Sequence, residues 1–178
     1  AELSAQVSAL LADTGLAGAP VLPVSALTGD GIDALRNALA AAEARCLRAG
    51  AQLTELRRQV LALVLEAEQP LGAYALLDRL KAERPGAAPP TVYRALDFLL
   101  ENGLVHRIAS LNAFIGCNHP EHPHQGQFLI CRLCHTAIEL ERPAIAEAID
   151  SAAGSVGFSV EGQTVEVVGL CSNCRNAA

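Results

Sequence analysis

Between positions 117 and 135 the sequence reads CNHPEHPHQGQFLICRLCH, which sets Cys117, His119, His122, His124, Cys131, Cys134 and His135 close together along the chain. Cys171 and Cys174 follow near its end. Thiol and imidazole groups at this density suit a borderline metal ion. Cys131-x-x-Cys134 and Cys171-x-x-Cys174 give the sharper signal. A C-x-x-C turn brings two thiolates to one ion, and two such turns complete a tetrahedral sulfur shell that favours Zn2+ and leaves no position open for catalysis. Neither pair sits in the βαβ pattern that a redox dithiol would need. The other candidates are His106, Cys117, His119, His122, His124, His135 and Glu139. They could form a local site (Cys117, His119, His122, His124) or one shared between the loop and the segments flanking it, and spacing does not choose. Cys46 falls on the apolar period of a helix and reads as a small core residue.

The elements around these residues change character twice. From about 43 to 108 apolar residues recur with the helical period: Leu56, Val60, Leu63 and Val64 after Thr54 as N-cap, then Leu76, Leu77 and Leu80. PPTVYRALDFLLENG opens on prolines and closes on Gly103. Three short helices with tight turns suit a helix-turn-helix unit. The β-rich runs LVHRI and AFIGC around a small polar turn then read as a wing. From 126 onward QFLIC, TAIELE, FSVEG and TVEVVGL read as strands and PAIAEAIDSAAG as a helix, a small domain whose alternating strands favour pairing with a second copy. The fold expected is α+β: a winged helix-turn-helix over 43–115, a metal-rich hinge over 116–125 and a small α/β dimerisation domain over 126–178.

Net charge is −6, with 2 basic and 5 acidic groups in residues 1–45, 8 and 7 in 46–108, and 3 and 7 in 109–178. Only the middle segment has a positive balance, which marks where DNA could sit. No apolar run is long enough to span a membrane, and the first residues lack a signal peptide's features, so a cytoplasmic protein is expected. The chain has no methionine, even at position 1, which points to a processed or trimmed start. PVSALTGDGIDALRNAL resembles the end of the GTP-binding domain of a selenocysteine-specific elongation factor. Residues 1–42 lack a G-x-x-x-x-G-K-[ST] loop and an N-K-x-D motif, so they read as a GTPase-like remnant or extension without a nucleotide site.

PPTVYRALDFLLENGLVHRI, the spacing from Cys117 to His124 and the two C-x-x-C pairs occur in the order that resembles the zinc uptake regulators of the ferric uptake regulator family, over about residues 43–175. The resemblance implies a non-enzymatic, zinc-loaded homodimer that binds operator DNA and represses zinc-uptake genes, with two Zn2+ per subunit. It assigns Cys131, Cys134, Cys171 and Cys174 to a structural site, and His106, Cys117, His124 and Glu139 to a regulatory site at the hinge. It places Tyr74 and Arg94 against bases, and Asp78 with Lys81 between neighbouring dimers. Arg57, Arg58 and Arg107 are expected to touch phosphates or stay solvated. The resemblance leaves His119, His122 and His135 over, with His119 or His122 as a candidate to replace a ligand or form an auxiliary site. An iron or peroxide sensor of the same family is the nearest alternative, and a metal-storage or delivery protein the alternative of another class.

Overall fold

A computed structural model describes residues 32–120 and 124–176. The helical period yields four helices, α1 (Ile32–Arg48), α2 (Glu55–Leu65), α3 (Ala73–Glu83) and α4 (Pro89–Glu101). The antiparallel hairpin β1 (Val105–Ile108) and β2 (Ala113–Gly116) follows. Helix α4 starts on two prolines, which lack the N–H groups a first turn leaves unpaired. It ends at Asn102, where Gly103 takes φ 62° and turns the chain out of the helix. Thr54 stands at the N-cap of α2, yet its hydroxyl makes no capping hydrogen bond.

Val60, Leu76, Val92, Leu96 and Leu99 are each 0% exposed at the centre of these helices, and Cys46 joins them. Helix α2 packs against α1, α3, α4 and β2, so a broad arc of it is covered rather than one stripe. Leu61 is therefore buried, while Leu63, expected on the inner face, is only partly covered. Leu71 and Phe114 exchange N–H···O bonds of 2.9 Å in both directions, which pins the hairpin to the helices. The hairpin turn is a single 3-10 turn, Ala109–Leu111, closed by Asn112 at φ 47°, a residue type that tolerates this conformation.

The second part comprises β3 (Gly126–Cys131), β4 (Ala137–Glu139), α5 (Pro143–Ser155), β5 (Thr164–Gly169) and α6 (Ser172–Asn176). Its sheet has the order β4-β3-β5, with β3 antiparallel to β4 and parallel to β5. The FSVEG run over 158–162 is not a strand: it returns the chain from α5 to β5, meets no neighbouring strand, and leaves Phe158 67% exposed. The buried cluster of this part is small, Phe128 and Ile130 closed over by Ile108 of β1, and α5 has no buried residue. Phe128 is in register with Glu139 on one side and Glu166 on the other. Residues opposite one another across a sheet share a face, so Glu139, Phe128 and Glu166 form one row toward the hairpin. No helix among the described residues is long and apolar enough to cross a membrane. Most of the segment resembling a GTP-binding domain, residues 1–31, lies outside the described residues, as do 121–123, 177 and 178.

Candidate metal centres

Cys131 ends β3 beside the end of β5, because Arg132 N–H donates to Gly169 O at 2.9 Å and prolongs that pairing. The chain then turns back: His135 takes φ 58°, its N–H donates to Cys131 O, and Cys131 N–H donates to Thr136 O, both at 2.9 Å. This turn presents Cys134 to Cys171 with their sulfurs 3.7 Å apart, and Cys174 N–H donates to Cys171 Sγ at 3.4 Å. The sulfur atoms of Cys131, Cys134, Cys171 and Cys174 all lie within 4.8 Å of one another, and none is in a disulfide. A tetrahedral ion with Zn–S bonds of ~2.3 Å would hold its sulfurs ~3.8 Å apart, close to the separation of Cys134 and Cys171. The backbone amides of Cys134 and Cys171 draw the Cys131 thiol down to about 5. Cys174, hydrogen-bonded to Cys171, Cys134 and Cys131, is pushed up to about 12. Several thiolates cannot be charged in this space without a cation, which is the condition a divalent ion relieves.

The second group spans both parts of the chain. His106 comes from β1, Cys117 follows β2, His124 precedes β3 and Glu139 ends β4. One donor atom from each lies within 4.8 Å of the other three. Glu139 Oε1 is 2.9 Å from His106 Nε2 and 2.8 Å from His124 Nε2, and Cys117 Sγ is 3.6 Å from His124 Nε2. Asn118 N–H donates to Glu139 Oε2 at 3.0 Å, so each carboxylate oxygen is engaged. Burial opposes ionisation of Glu139, but His106, the Asn118 amide and His124 outweigh it and hold the carboxyl at about 2. The His106 ring stands edge-on to Phe128, with centroids 5.4 Å apart. Its Nε2 is sealed from solvent and makes no properly aligned hydrogen bond, despite the nearby carboxylate. A sealed imidazole nitrogen facing a shared centre beside a thiol, a second imidazole and a carboxylate fits a Zn2+ ligand.

The structure thus brings together the two donor sets that the resemblance implies. It does not gather the local set: His119 lies 3.7 Å from Glu141, its ring 6.2 Å from that of His124, and is in neither donor group. His122 lies outside the described residues, and His135 shapes the Cys131 turn instead. Tyr74, 67% exposed at the start of α3, and Arg94, exposed on α4, both face outward, as do Asp78 and Lys81 on α3. Tyr93, beside Arg94, is 43% exposed as well. The Arg57 guanidinium stacks 3.5 Å over the Phe98 ring and its Nη1 donates to Gln52 O at 2.7 Å. Arg58 pairs with Glu43, and Arg107 donates to Asn112 Oδ1 at 3.3 Å.

Two contacts escaped the sequence because their partners are backbone groups. Arg45 Nε donates to Asn102 O at 2.7 Å and its Nη1 to Pro120 O, tying α1 both to the end of α4 and to the metal-bearing loop. Glu166, the one charge in an apolar strand, accepts N–H bonds from Ala109 and Ser110.

Residues 48–168 match the model of the ferric uptake regulator family. The chain is 38% identical over 137 residues to the zinc uptake regulation protein of Escherichia coli, covering 76% of this chain and 80% of that one. It is 29% identical over 131 residues to the zinc uptake regulation protein of Mycobacterium tuberculosis, covering 72% and 98%. Among solved structures it is similar to a zinc uptake regulator complexed with zinc and DNA, at 36% identity and a TM-score of 0.78, over 80% of this chain and 96% of that one. It is also similar to holo XcZur, at 46% identity and a TM-score of 0.72, over 79% and 97%. With a family model spanning both the helical part and the sheet, this chain belongs to the ferric uptake regulator family.

Proposed function

We propose that the chain is a zinc-responsive repressor that binds operator DNA as a homodimer and controls zinc-uptake genes. The observation that carries this reading is that His106, Cys117, His124 and Glu139 converge within 4.8 Å from both sides of the hinge. A relative described as a zinc uptake regulation protein and a solved relative complexed with zinc and DNA support it. A bound Zn2+ would supply the divalent charge and tetrahedral geometry that join these donors. The chain's residues do the rest. His106 ties the hairpin to the site, Glu139 ties β4 to it, and Cys117 with His124 holds the connecting loop. A ~100-fold preference of the ion for this joined arrangement is worth ~2.7 kcal/mol per subunit in favour of the DNA-binding conformation.

The four-cysteine group is read as a second, structural zinc site, making two ions per subunit. It closes the end of β3 onto the segment after β5 and leaves no donor position open. Helix α4 is read as the recognition helix, with Arg94 able to grip guanine through two hydrogen bonds, Tyr74 beside it, and Asp78 and Lys81 outward for a neighbouring dimer. The far face of the sheet carries Leu129 in register with Ile138 and Val167, and Leu129 and Val167 are 40% and 52% exposed. Together with the uncovered α5 it offers a face for the second copy. Pairing would set two recognition helices ~34 Å apart, one turn of DNA. Acting on DNA in this way places the protein in the cytoplasm. The Cys117 thiol among the donors favours zinc over an iron or peroxide sensor. A storage or delivery protein would have no use for α4 and the wing.

The reading is tested by titrating the metal-free protein with Zn2+ while following binding to a duplex enriched from a random pool with the zinc-loaded protein. Affinity is expected to rise at least tenfold with zinc, and Cys117→Ala or His106→Ala to abolish the rise. No zinc-dependent gain would sink the reading. His119→Ala abolishing it while Cys117→Ala does not would overturn the ligand assignment.

A further inference from the structure

The hairpin is fastened to the sheet at a second point that contains no metal ligand. Glu166 Oε1 accepts the Ala109 N–H at 2.6 Å, and Oε2 accepts the Ser110 N–H at 2.9 Å. These amides begin the 3-10 turn at the tip of the hairpin, so they have no partner within the turn itself. A carboxylate is the acceptor best suited to them, since bonds to an ionised group are shorter and about twice as strong as neutral ones. Burial pushes the Glu166 carboxyl up, but the Ser110 hydroxyl together with the Ser110 and Ala109 amides outweighs it and draws the carboxyl below its ordinary range.

The sheet register gives this contact its meaning. Glu139, Phe128 and Glu166 lie in one row across β4, β3 and β5. Strands are spaced ~4.8 Å apart, so the outer two backbones stand ~10 Å from each other. Glu139 meets His106 near the start of β1, Phe128 packs against the ring of His106, and Glu166 holds the tip beyond the end of β1. A single attachment, at the metal-binding end, would leave the hairpin free to pivot about that point. Two attachments on opposite edge strands, with an aromatic ring between them as a fulcrum, fix the angle.

We propose that Glu166 is a positioning residue that sets the angle of the wing, and with it the DNA-binding helices, through the Ala109 and Ser110 amides. It makes no contact with metal or DNA. It limits how far the hinge turns once the regulatory donors are joined, so part of the repressor's operator affinity is stored in a contact that zinc does not make. The inference rests on the zinc-dependent operator binding proposed above.

The test uses zinc-loaded full-length protein and its Glu166→Ala and Glu166→Gln variants. Amide hydrogen exchange should show Ala109 and Ser110 protected in the unmodified chain, exchanging faster in Glu166→Gln and fastest in Glu166→Ala. Operator affinity at saturating zinc should fall about tenfold for Glu166→Ala and about threefold for Glu166→Gln, while zinc content stays unchanged and both variants remain fully folded at the assay temperature. The salt dependence of DNA binding should also stay unchanged, since no phosphate contact is removed. Unprotected amides in the unmodified chain, or equal operator affinity in all three proteins, overturn the inference. A loss of zinc or of thermal stability that accounts for the weaker binding also overturns it, because the residue is then merely structural. If the unmodified chain gains no affinity with zinc, it is the proposed function that fails.

Discussion

Gly126→Ala should weaken the regulatory site without touching the four-cysteine site. A Cβ at position 126 would lie 2.7 Å from Phe128 Cε2, 3.1 Å from Phe128 Cζ and 3.5 Å from His106 Nδ1. Carbon atoms in contact normally sit about 3.5–4.0 Å apart, so something must retreat by about 1 Å. The Phe128 ring is 1% exposed, packed against Ile108 and Ile130, and abuts the His106 ring. It can yield only by pushing His106, or else the backbone at 126 moves and carries His124 with it. Either response displaces a donor. Overpacking of this kind costs about 1–3 kcal/mol, which at 1.4 kcal/mol per decade is roughly a 5- to 140-fold loss of zinc affinity at that site. Competition against a chromophoric chelator would resolve the two ions, and Co2+ substitution would report the Cys117 thiolate separately from the four-cysteine shell. The affinity of the weaker ion should fall while the tighter one is unchanged. Unaltered affinity at both sites would refute the reasoning, because it would mean the ring can retreat without moving His106.

Three other perturbations separate the remaining parts. Cys171→Ser should release the structural ion, since three thiols cannot complete the sulfur shell; structural zinc is worth ~10–16 kcal/mol in small domains, so sedimentation should show loss of the dimer and circular dichroism partial unfolding. Arg94→Ala should leave zinc stoichiometry intact and cost ~1–3 kcal/mol of operator affinity, with relaxed preference at one base position in a pool-selection assay. Arg45→Ala removes two bonds to the Asn102 and Pro120 carbonyls. At ~0.5–1.5 kcal/mol each, it should lower stability to urea by ~1–3 kcal/mol and weaken the regulatory ion in a chelator titration.

What the sequence made legible followed from local chemistry. The prolines of Pro89 and Pro90 and the glycine at 103 bracket α4 because both signals act within one turn of helix. The C-x-x-C pairs speak for themselves for the same reason. His106 and Glu139 are different: they meet only because β1 is laid against the row containing β4, and spacing alone left them as two among several candidates. The resemblance, rather than periodicity, singled them out. Glu166 and Arg45 stayed hidden because their partners are amides and carbonyls, which every residue carries. FSVEG alternates as a strand does, but alternation cannot supply the neighbour a strand needs. A single-stripe pattern puts Leu63 on the inner face, whereas α2 is packed over a wider arc that admits Leu61.

The second part of the chain has little interior of its own: Phe128 and Ile130 share their cluster with Ile108 from the wing, and no residue of α5 is fully buried. With the pairing proposed here, much of its apolar burial comes from the other subunit. Its folding equilibrium is then second order in protein, and the midpoint of thermal unfolding should climb with concentration, as it does for any dimer whose monomer is weak. The number of copies in the cell thereby becomes an input of the same kind as the metal. When copies are scarce, single chains open more often and are exposed to proteolysis, so the regulator's lifetime as well as its occupancy of DNA would depend on how much of it is present.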